Sequence, residues 1–100
     1  MYLLHGKLTA KKGQEEALAK ILLQASELVA GAAGCRLYVI SNDEQDPQQV
    51  YVTEIWDDKT AHDASLQMPE VRQLIQQAMP LLDGMPTGGQ ELTILGGHGI

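Results

Sequence analysis

The stretch that decides the fold is Val50-Tyr51-Val52-Thr53-Glu54-Ile55-Trp56, a run of β-branched and aromatic residues in the middle of the chain. This composition is typical of a β-strand. Because successive side chains of a strand point to opposite faces, the face that carries Glu54 also carries Val50, Val52 and Trp56. The alternation therefore predicts a carboxylate among large apolar groups.

Three further strands are predicted on either side of this one. Cys35–Ile40 has similar strand-like composition, and the polar segment Ser41–Pro47 is expected to be the loop of a hairpin that joins the two strands. Tyr2–Ala10 is short and rich in apolar residues, which indicates a first strand. Glu91–Leu95 indicates a last strand after the turn-rich segment Asp83–Gly89.

Helical periodicity fills the intervals between the strands. Apolar residues recur at helical spacing over Gln14–Ala32, which predicts an amphipathic helix. Asp57 or Asp58 is expected to cap a short helix that runs to about residue 66. A third helix starts at Pro69, and Pro80 is expected to kink or end its last turn, because proline lacks the backbone donor.

The order strand, helix, strand, strand, helix pair, strand predicts an α+β, ferredoxin-like split βαβ domain that spans residues 1–100, with the helices on one face of an antiparallel sheet. The other sheet face would still carry apolar side chains from every strand, and such a surface requires a partner. The simplest partner is a second copy of the chain. We therefore expect a homodimer that encloses a cavity.

Composition excludes several functional classes. The 100 residues carry a net charge of −6, which disfavours nucleic acid and anionic membrane surfaces as partners. Residues 1–7 lack the features of a signal peptide, and no apolar run is long enough to cross a membrane. A single cysteine and three scattered histidines give no disulfide and no metal-ligand pattern, so we expect a cytoplasmic protein without a metal.

Three segments together resemble the antibiotic biosynthesis monooxygenase family: Gly34–Ile40, Asp46-Pro47 and Val50–Asp58, with their Gly-Cys strand start and Glu-Ile-Trp strand end. The resemblance implies a dimeric α+β barrel. It also implies that a pocket between helices and sheet oxidises a phenolic or quinol-type compound with molecular oxygen, without a metal, flavin or other cofactor. Ala61–Ser65 is similar to the Ala-His-x-x-Ser segment of the family, which gives His62 the place of a family histidine, with the following proline displaced by three residues.

Glu54 and Trp56 are the first two candidate site residues. Trp56 offers a flat surface on which an aromatic substrate can stack, or alternatively it fills the core. Glu54 could serve as a base with a raised pKa, or alternatively it forms an ion pair with Arg36 or Arg72.

His62 is the candidate for proton transfer near neutral pH, although a solvated helix position beside Asp63 is the simpler reading. The remaining expected substrate contacts are Val52 on the strand, Ser65 on the second helix and His5, which we expect to face the same cavity. Ser65 and His62 lack a third group, so a hydrolase triad is not predicted.

Three functions remain open from the sequence. The first is a cofactor-independent monooxygenase acting on a small aromatic or quinol-type compound. The second is a dimeric barrel that binds or senses a small apolar ligand without turnover. The third is a haem-degrading monooxygenase, which is disfavoured because the first strand lacks the asparagine of haem-degrading relatives.

Overall fold

Four strands and three helices follow one another in the predicted order. The computed structural model describes the backbone of residues 1–100 and the side chains of residues 1–86 and 88–100. The elements are β1 (Tyr2–Thr9), α1 (Glu15–Val29), β2 (Cys35–Asp43), β3 (Asp46–Trp56), α2 (Lys59–Ser65), α3 (Pro69–Ala78) and β4 (Thr87–Thr93). The strands form one sheet in the order β2-β3-β1-β4, with every neighbouring pair antiparallel. The predicted α+β, ferredoxin-like fold is therefore confirmed.

Strand β3 lies in the middle of the sheet and carries the alternation seen in the sequence. Val50, Val52, Glu54 and Trp56 are all buried on the face that the helices cover. The register pairs Glu54 with Leu4 of β1 and with Tyr38 of β2. The predicted grouping of a carboxylate with large apolar residues is thus a feature of the folded chain.

The hairpin between β2 and β3 has a much shorter loop than the polar segment Ser41–Pro47 predicts. The strands continue to Asp43 and resume at Asp46, so the turn is confined to residues 44 and 45. The Asp43 carboxylate closes it by accepting a hydrogen bond from the backbone N–H of Gln45 at 2.8 Å. Pro47 is tolerated because it precedes Gln49, the first β3 residue paired with β1.

Strand β4 begins and ends earlier than predicted. It spans Thr87–Thr93 rather than Glu91–Leu95, and it pairs with β1. Gly88 and Gly89, which the sequence suggests belong to a turn, lie in the strand. A Cβ at Gly89 would lie 2.8 Å from the Leu4 side chain, so glycine here permits close approach of β4 to β1 rather than a reversal of the chain.

The helices bury one face each. Helix α1 ends at Val29, three residues before the predicted end, and buries Leu18, Leu22 and Ala25. Asp58 caps α2 by accepting a hydrogen bond from the backbone N–H of Ala61 at 2.8 Å, as predicted. Helix α3 starts at Pro69 and stops at Ala78, where Pro80 turns the chain into a short 3₁₀ segment, so the expected break is confirmed.

The opposite face of the sheet is exposed at its edge strands, whereas Ile55 on the central strand β3 is only 6% exposed. One row across it is entirely apolar, since Leu37, Ile55, Leu3 and Leu92 are aligned by the strand registers. Leu92 in this row is 49% exposed, and Val39 in the neighbouring row is 44% exposed. In the described part of the chain, no helix has both the length and the apolar character that a membrane crossing needs.

Candidate active site

A cavity of about 250 Å³ lies between the covered face of the sheet and helices α1 and α3. Its wall is mainly apolar and includes Leu22, Ala25, Val52, Val71, Leu74 and Ala78. Lys7, Tyr38, Glu54 and Ser65 are the polar residues of the lining. Among these, Glu54 is the one buried charged residue, so the electrostatics of the cavity depend mainly on this carboxyl group.

Glu54 is 8% exposed and is held by its second neighbour along β3. The indole Nε1–H of Trp56 donates a hydrogen bond to Oε1 at 3.0 Å. Among the described residues, no side chain forms a hydrogen bond with Oε2. Every fully buried side-chain oxygen among them has a hydrogen-bond partner, so Oε2 is not fully buried. Because Glu54 borders the cavity, Oε2 is accessible from that space. Burial raises the pKa of Glu54, while the Trp56 hydrogen bond and the nearby His62 oppose that rise.

His62 lies in α2 directly behind Glu54. The residue is also 8% exposed, with its Nε2 at 3.8 Å from Oε1 of Glu54 and its Nδ1 at 3.0 Å from Oδ1 of Asp63. The ring packs between Tyr2, at a centroid distance of 5.6 Å, and the edge of Trp56, at 6.0 Å. The simpler reading of His62 as a solvated helix residue is therefore wrong. His62 does not border the cavity, but its Nε2 lies near Glu54, which does.

Trp56 occupies the core rather than the cavity wall. It is 0% exposed and packs with Val29 and Val71. A substrate in the cavity cannot stack on its ring, because the residue does not border that space. The predicted stacking surface is thus replaced by a different arrangement, in which the indole supports Glu54 from behind.

The other predicted contacts divide between the two faces of the sheet. Val52 and Ser65 border the cavity, and the Ser65 hydroxyl donates to the backbone carbonyl of His62 at 2.6 Å. His5 does not face the cavity, contrary to the prediction, because it pairs with Thr53 on β3 and so points to the open face. There its Nδ1 lies 3.0 Å from Thr53 Oγ1, and its ring stacks on Tyr51.

Among the described residues, neither Arg36 nor Arg72 forms the predicted ion pair with Glu54. Arg36 instead donates to Asp57 at the surface. The Cys35 thiol is half-buried against the cluster that contains Trp56, and burial raises its pKa, as is typical of a packing cysteine. In the described part of the chain, no three His, Cys, Asp or Glu residues are grouped as a metal site.

Tyr38 also borders the cavity, although nothing in its local sequence marks it as a site residue. It is the cross-strand partner of Glu54 and contacts both core clusters of the domain. Burial and the nearby Glu54 charge raise the pKa of its hydroxyl, which therefore stays protonated at neutral pH. The hairpin register, which places residues 38 and 54 opposite each other, is the signal that identifies Tyr38.

Solved structures of similar proteins share this arrangement of elements. A candidate antibiotic biosynthesis monooxygenase from Chloroflexus aurantiacus is 37% identical, with a TM-score of 0.87 and coverage of 99% of this chain and 97% of that chain. A second, from Deinococcus radiodurans, is 28% identical with a TM-score of 0.77, covering 100% and 96% of the two chains. A third, from Nitrosomonas europaea, is 14% identical with a TM-score of 0.89 over 94% and 89%, and shows the fold alone.

Comparison with curated proteins gives no significant match. The family model described as antibiotic biosynthesis monooxygenase matches residues 1–77, which include β1, α1, β2, β3, α2 and most of α3. The matched region thus contains Glu54, Trp56 and His62. Together with the Chloroflexus relative, this match establishes that the chain belongs to the antibiotic biosynthesis monooxygenase family.

Proposed function

We propose that the protein is a cofactor-independent monooxygenase that oxidises a small aromatic or quinol-type compound with molecular oxygen. The observation that carries the proposal is Glu54, a buried carboxyl group with one free oxygen at the wall of an apolar cavity. Burial raises its pKa and makes it a stronger base than an exposed carboxylate. Such a group suits the removal of a phenolic proton near neutral pH.

The reaction needs an electron-rich anion and a space that excludes water. Glu54 takes the hydroxyl proton of the substrate, and the resulting phenolate reduces oxygen directly and forms a new C–O bond. Apolar residues such as Val52, Val71 and Ala78 keep bulk water from the anion. His62 acts on this chemistry through Glu54 rather than by contact with the substrate.

The size of the cavity supports a small substrate. Its volume of about 250 Å³ is below the range of about 300–1,000 Å³ that is usual for drug-sized ligands. A compound of one or two aromatic rings suits this volume much better than haem does. The volume therefore favours a quinol-type substrate over haem.

The homodimer is part of the same proposal. The apolar row formed by Leu3, Leu37, Ile55 and Leu92 gives the open sheet face a surface that a second copy would cover. The single cysteine, Cys35, is compatible with the reducing cytoplasm that we propose as the compartment.

Oxygen consumption in the presence of a panel of hydroquinones and naphthoquinols tests the activity. We expect Glu54→Gln to lower kcat by about 100-fold or more, because a positioned base contributes about 10²–10⁴-fold. Glu44→Gln, in the exposed hairpin turn, is the matched control and is expected to retain wild-type rates. Absence of oxygen uptake with every compound of the panel would count decisively against an oxygenase.

A ligand-binding protein without turnover is the second candidate, and the mainly apolar wall of the cavity favours it. Isothermal titration with the same panel, performed without oxygen, distinguishes the two functions. Binding that is accompanied by no oxygen uptake when air is admitted would identify the binding protein. Binding followed by uptake would identify the enzyme.

A further inference from the structure

We propose that Asp63 is a positioning residue that sets the tautomer of His62, so that Glu54, His62 and Asp63 together hold the substrate proton during the reaction. This inference rests on the proposed function and deepens it. It assigns a role to an exposed carboxylate that does not touch the cavity and that no sequence motif marks.

The geometry around the imidazole fixes which nitrogen carries hydrogen. Asp63 presents a carboxylate oxygen at 3.0 Å from Nδ1, and a carboxylate can only accept a hydrogen bond. Nδ1 of the neutral ring therefore carries the hydrogen, which leaves the lone pair on Nε2. That lone pair is 3.8 Å from Oε1 of Glu54, so it is placed to accept a hydrogen bond from the Glu54 carboxyl group once that group is protonated.

The surroundings of His62 leave few competing partners. Tyr2 from β1 and Trp56 from β3 flank the ring, and their packing restricts its rotation. The Tyr2 hydroxyl donates to Glu91 of β4 at 2.9 Å, and Lys59 of α2 lies 3.1 Å from the same carboxylate oxygen. Of the titratable groups around the ring, Tyr2 is thus directed away, and Glu54 and Asp63 remain as the two carboxyl groups at its nitrogens.

The proton balance of the oxidation requires temporary storage rather than net release. The substrate hydroxyl proton moves to the free Oε2 of Glu54. Rotation of this carboxyl group about its terminal bond then turns the protonated oxygen towards Nε2, which accepts the proton and becomes part of an imidazolium between two carboxylates. The phenolate carbon transfers electrons to oxygen and forms a C–O bond, and the stored proton returns through Glu54 to the resulting peroxide. The O–O bond then breaks and releases hydroxide, while the ring carbon loses its hydrogen as a proton and becomes a carbonyl carbon. The hydroxide and the proton combine as water. The phenol and oxygen are thereby converted to a quinone and one water molecule.

The tautomer of His62 is directly measurable in the resting protein. In ¹⁵N-labelled wild type, long-range ¹⁵N–¹H spectra of the imidazole are expected to show hydrogen on Nδ1, with the His62 signals assigned by their loss in His62→Gln. Asp63→Ala should move the hydrogen to Nε2, which then donates to Glu54, and Asp63→Glu should restore the wild-type pattern. Alanine suits this exposed helix position, so the variant is expected to fold.

A rate measurement complements the spectra. Asp63→Ala should lower kcat about 10–100-fold, with KM changed less than about two-fold, by analogy with the cost of removing the carboxylate that orients a metal-bound histidine. Asp83→Asn, an exposed acidic residue outside α2, is the control and should leave both kcat and the spectrum unchanged. Hydrogen on Nε2 in wild type, or on Nδ1 in Asp63→Ala, would overturn the positioning role.

The two readouts separate this inference from the function on which it rests. The spectra need neither substrate nor oxygen, so a protein without monooxygenase activity still reports whether Asp63 sets the tautomer. An active wild type whose Asp63→Ala variant keeps its kcat overturns the positioning role and leaves the proposed oxidation intact.

Discussion

Replacing Trp56 by Phe tests the hydrogen bond that supports Glu54. The substitution keeps an aromatic ring in the core but removes the Nε1–H that donates to Oε1 at 3.0 Å, at a position that is 0% exposed. Loss of this charge-assisted hydrogen bond should lower the free energy of unfolding by about 1.5–3 kcal/mol. The smaller ring should cost about 1–2 kcal/mol more through lost contacts and the space it leaves. We therefore expect a total loss of about 2.5–5 kcal/mol.

A double-mutant cycle with Glu54→Gln separates these two contributions. Glutamine at this position accepts only a neutral hydrogen bond, worth about 1 kcal/mol. Trp56→Phe should therefore cost only about 2–3 kcal/mol in that background, which leaves a coupling energy of about 0.5–2 kcal/mol between the two side chains. The measurement is urea unfolding followed by far-UV circular dichroism, because the chain has a single tryptophan and the variant removes it.

The stability of the wild type should also depend on pH through Glu54. The pKa of Glu54 is raised in the folded chain, so folding favours its protonated form. The stabilisation that this group contributes is complete below its unfolded pKa and decreases as the pH rises through the folded value. Wild type should lose stability over that interval, whereas Glu54→Gln should not. A coupling below about 0.3 kcal/mol at pH 7 would refute the argued role of the indole N–H.

Two further substitutions test the segments that position the site. Gly34→Ala should destabilise the protein more than Gly13→Ala. Both glycines have positive φ, which costs alanine roughly 1–2 kcal/mol, but only at Gly34 would the new Cβ lie 2.7 Å from Ala61. Equal losses of stability in thermal unfolding would contradict the steric argument. Asp58→Ala removes the cap of α2 and should cost about 0.5–2 kcal/mol. Asp57→Ala, which removes only an exposed ion pair, should cost less in the same assay, and the reverse order would contradict the capping role.

The sequence predicts the fold well because the decisive signals are local. The alternation of Val50–Trp56 and the helical spacing over Gln14–Ala32 are each readable within one element. Predictions failed where polar or flexible residues lie inside a strand, as at Asn42 and Gly89. In both cases cross-strand hydrogen bonds and close packing, which depend on a distant partner strand, override the local turn preference.

The candidate site is only partly predictable because it depends on which face each side chain occupies. Glu54 is correctly grouped with apolar residues by alternation. His5 is misassigned, because only its register with Thr53 shows that it points to the open face. The supporting role of Trp56 and the burial of His62 arise from the packing of α2 against the sheet, which no spacing in the sequence encodes.

The cavity lies among the two clusters that form the core, and Tyr38 contacts both. A domain of 100 residues has little buried surface to spare, so a gap of this kind lowers its resistance to heat. Selection for thermal tolerance alone would favour larger side chains at positions such as Ala25. These side chains would fill the cavity and prevent a ligand from entering it. Conversely, a compound that fills the gap should raise the melting temperature, by the equivalent of about 2.7 kcal/mol at one hundred times its Kd. Heat resistance can therefore serve as the signal in a search for the natural substrate.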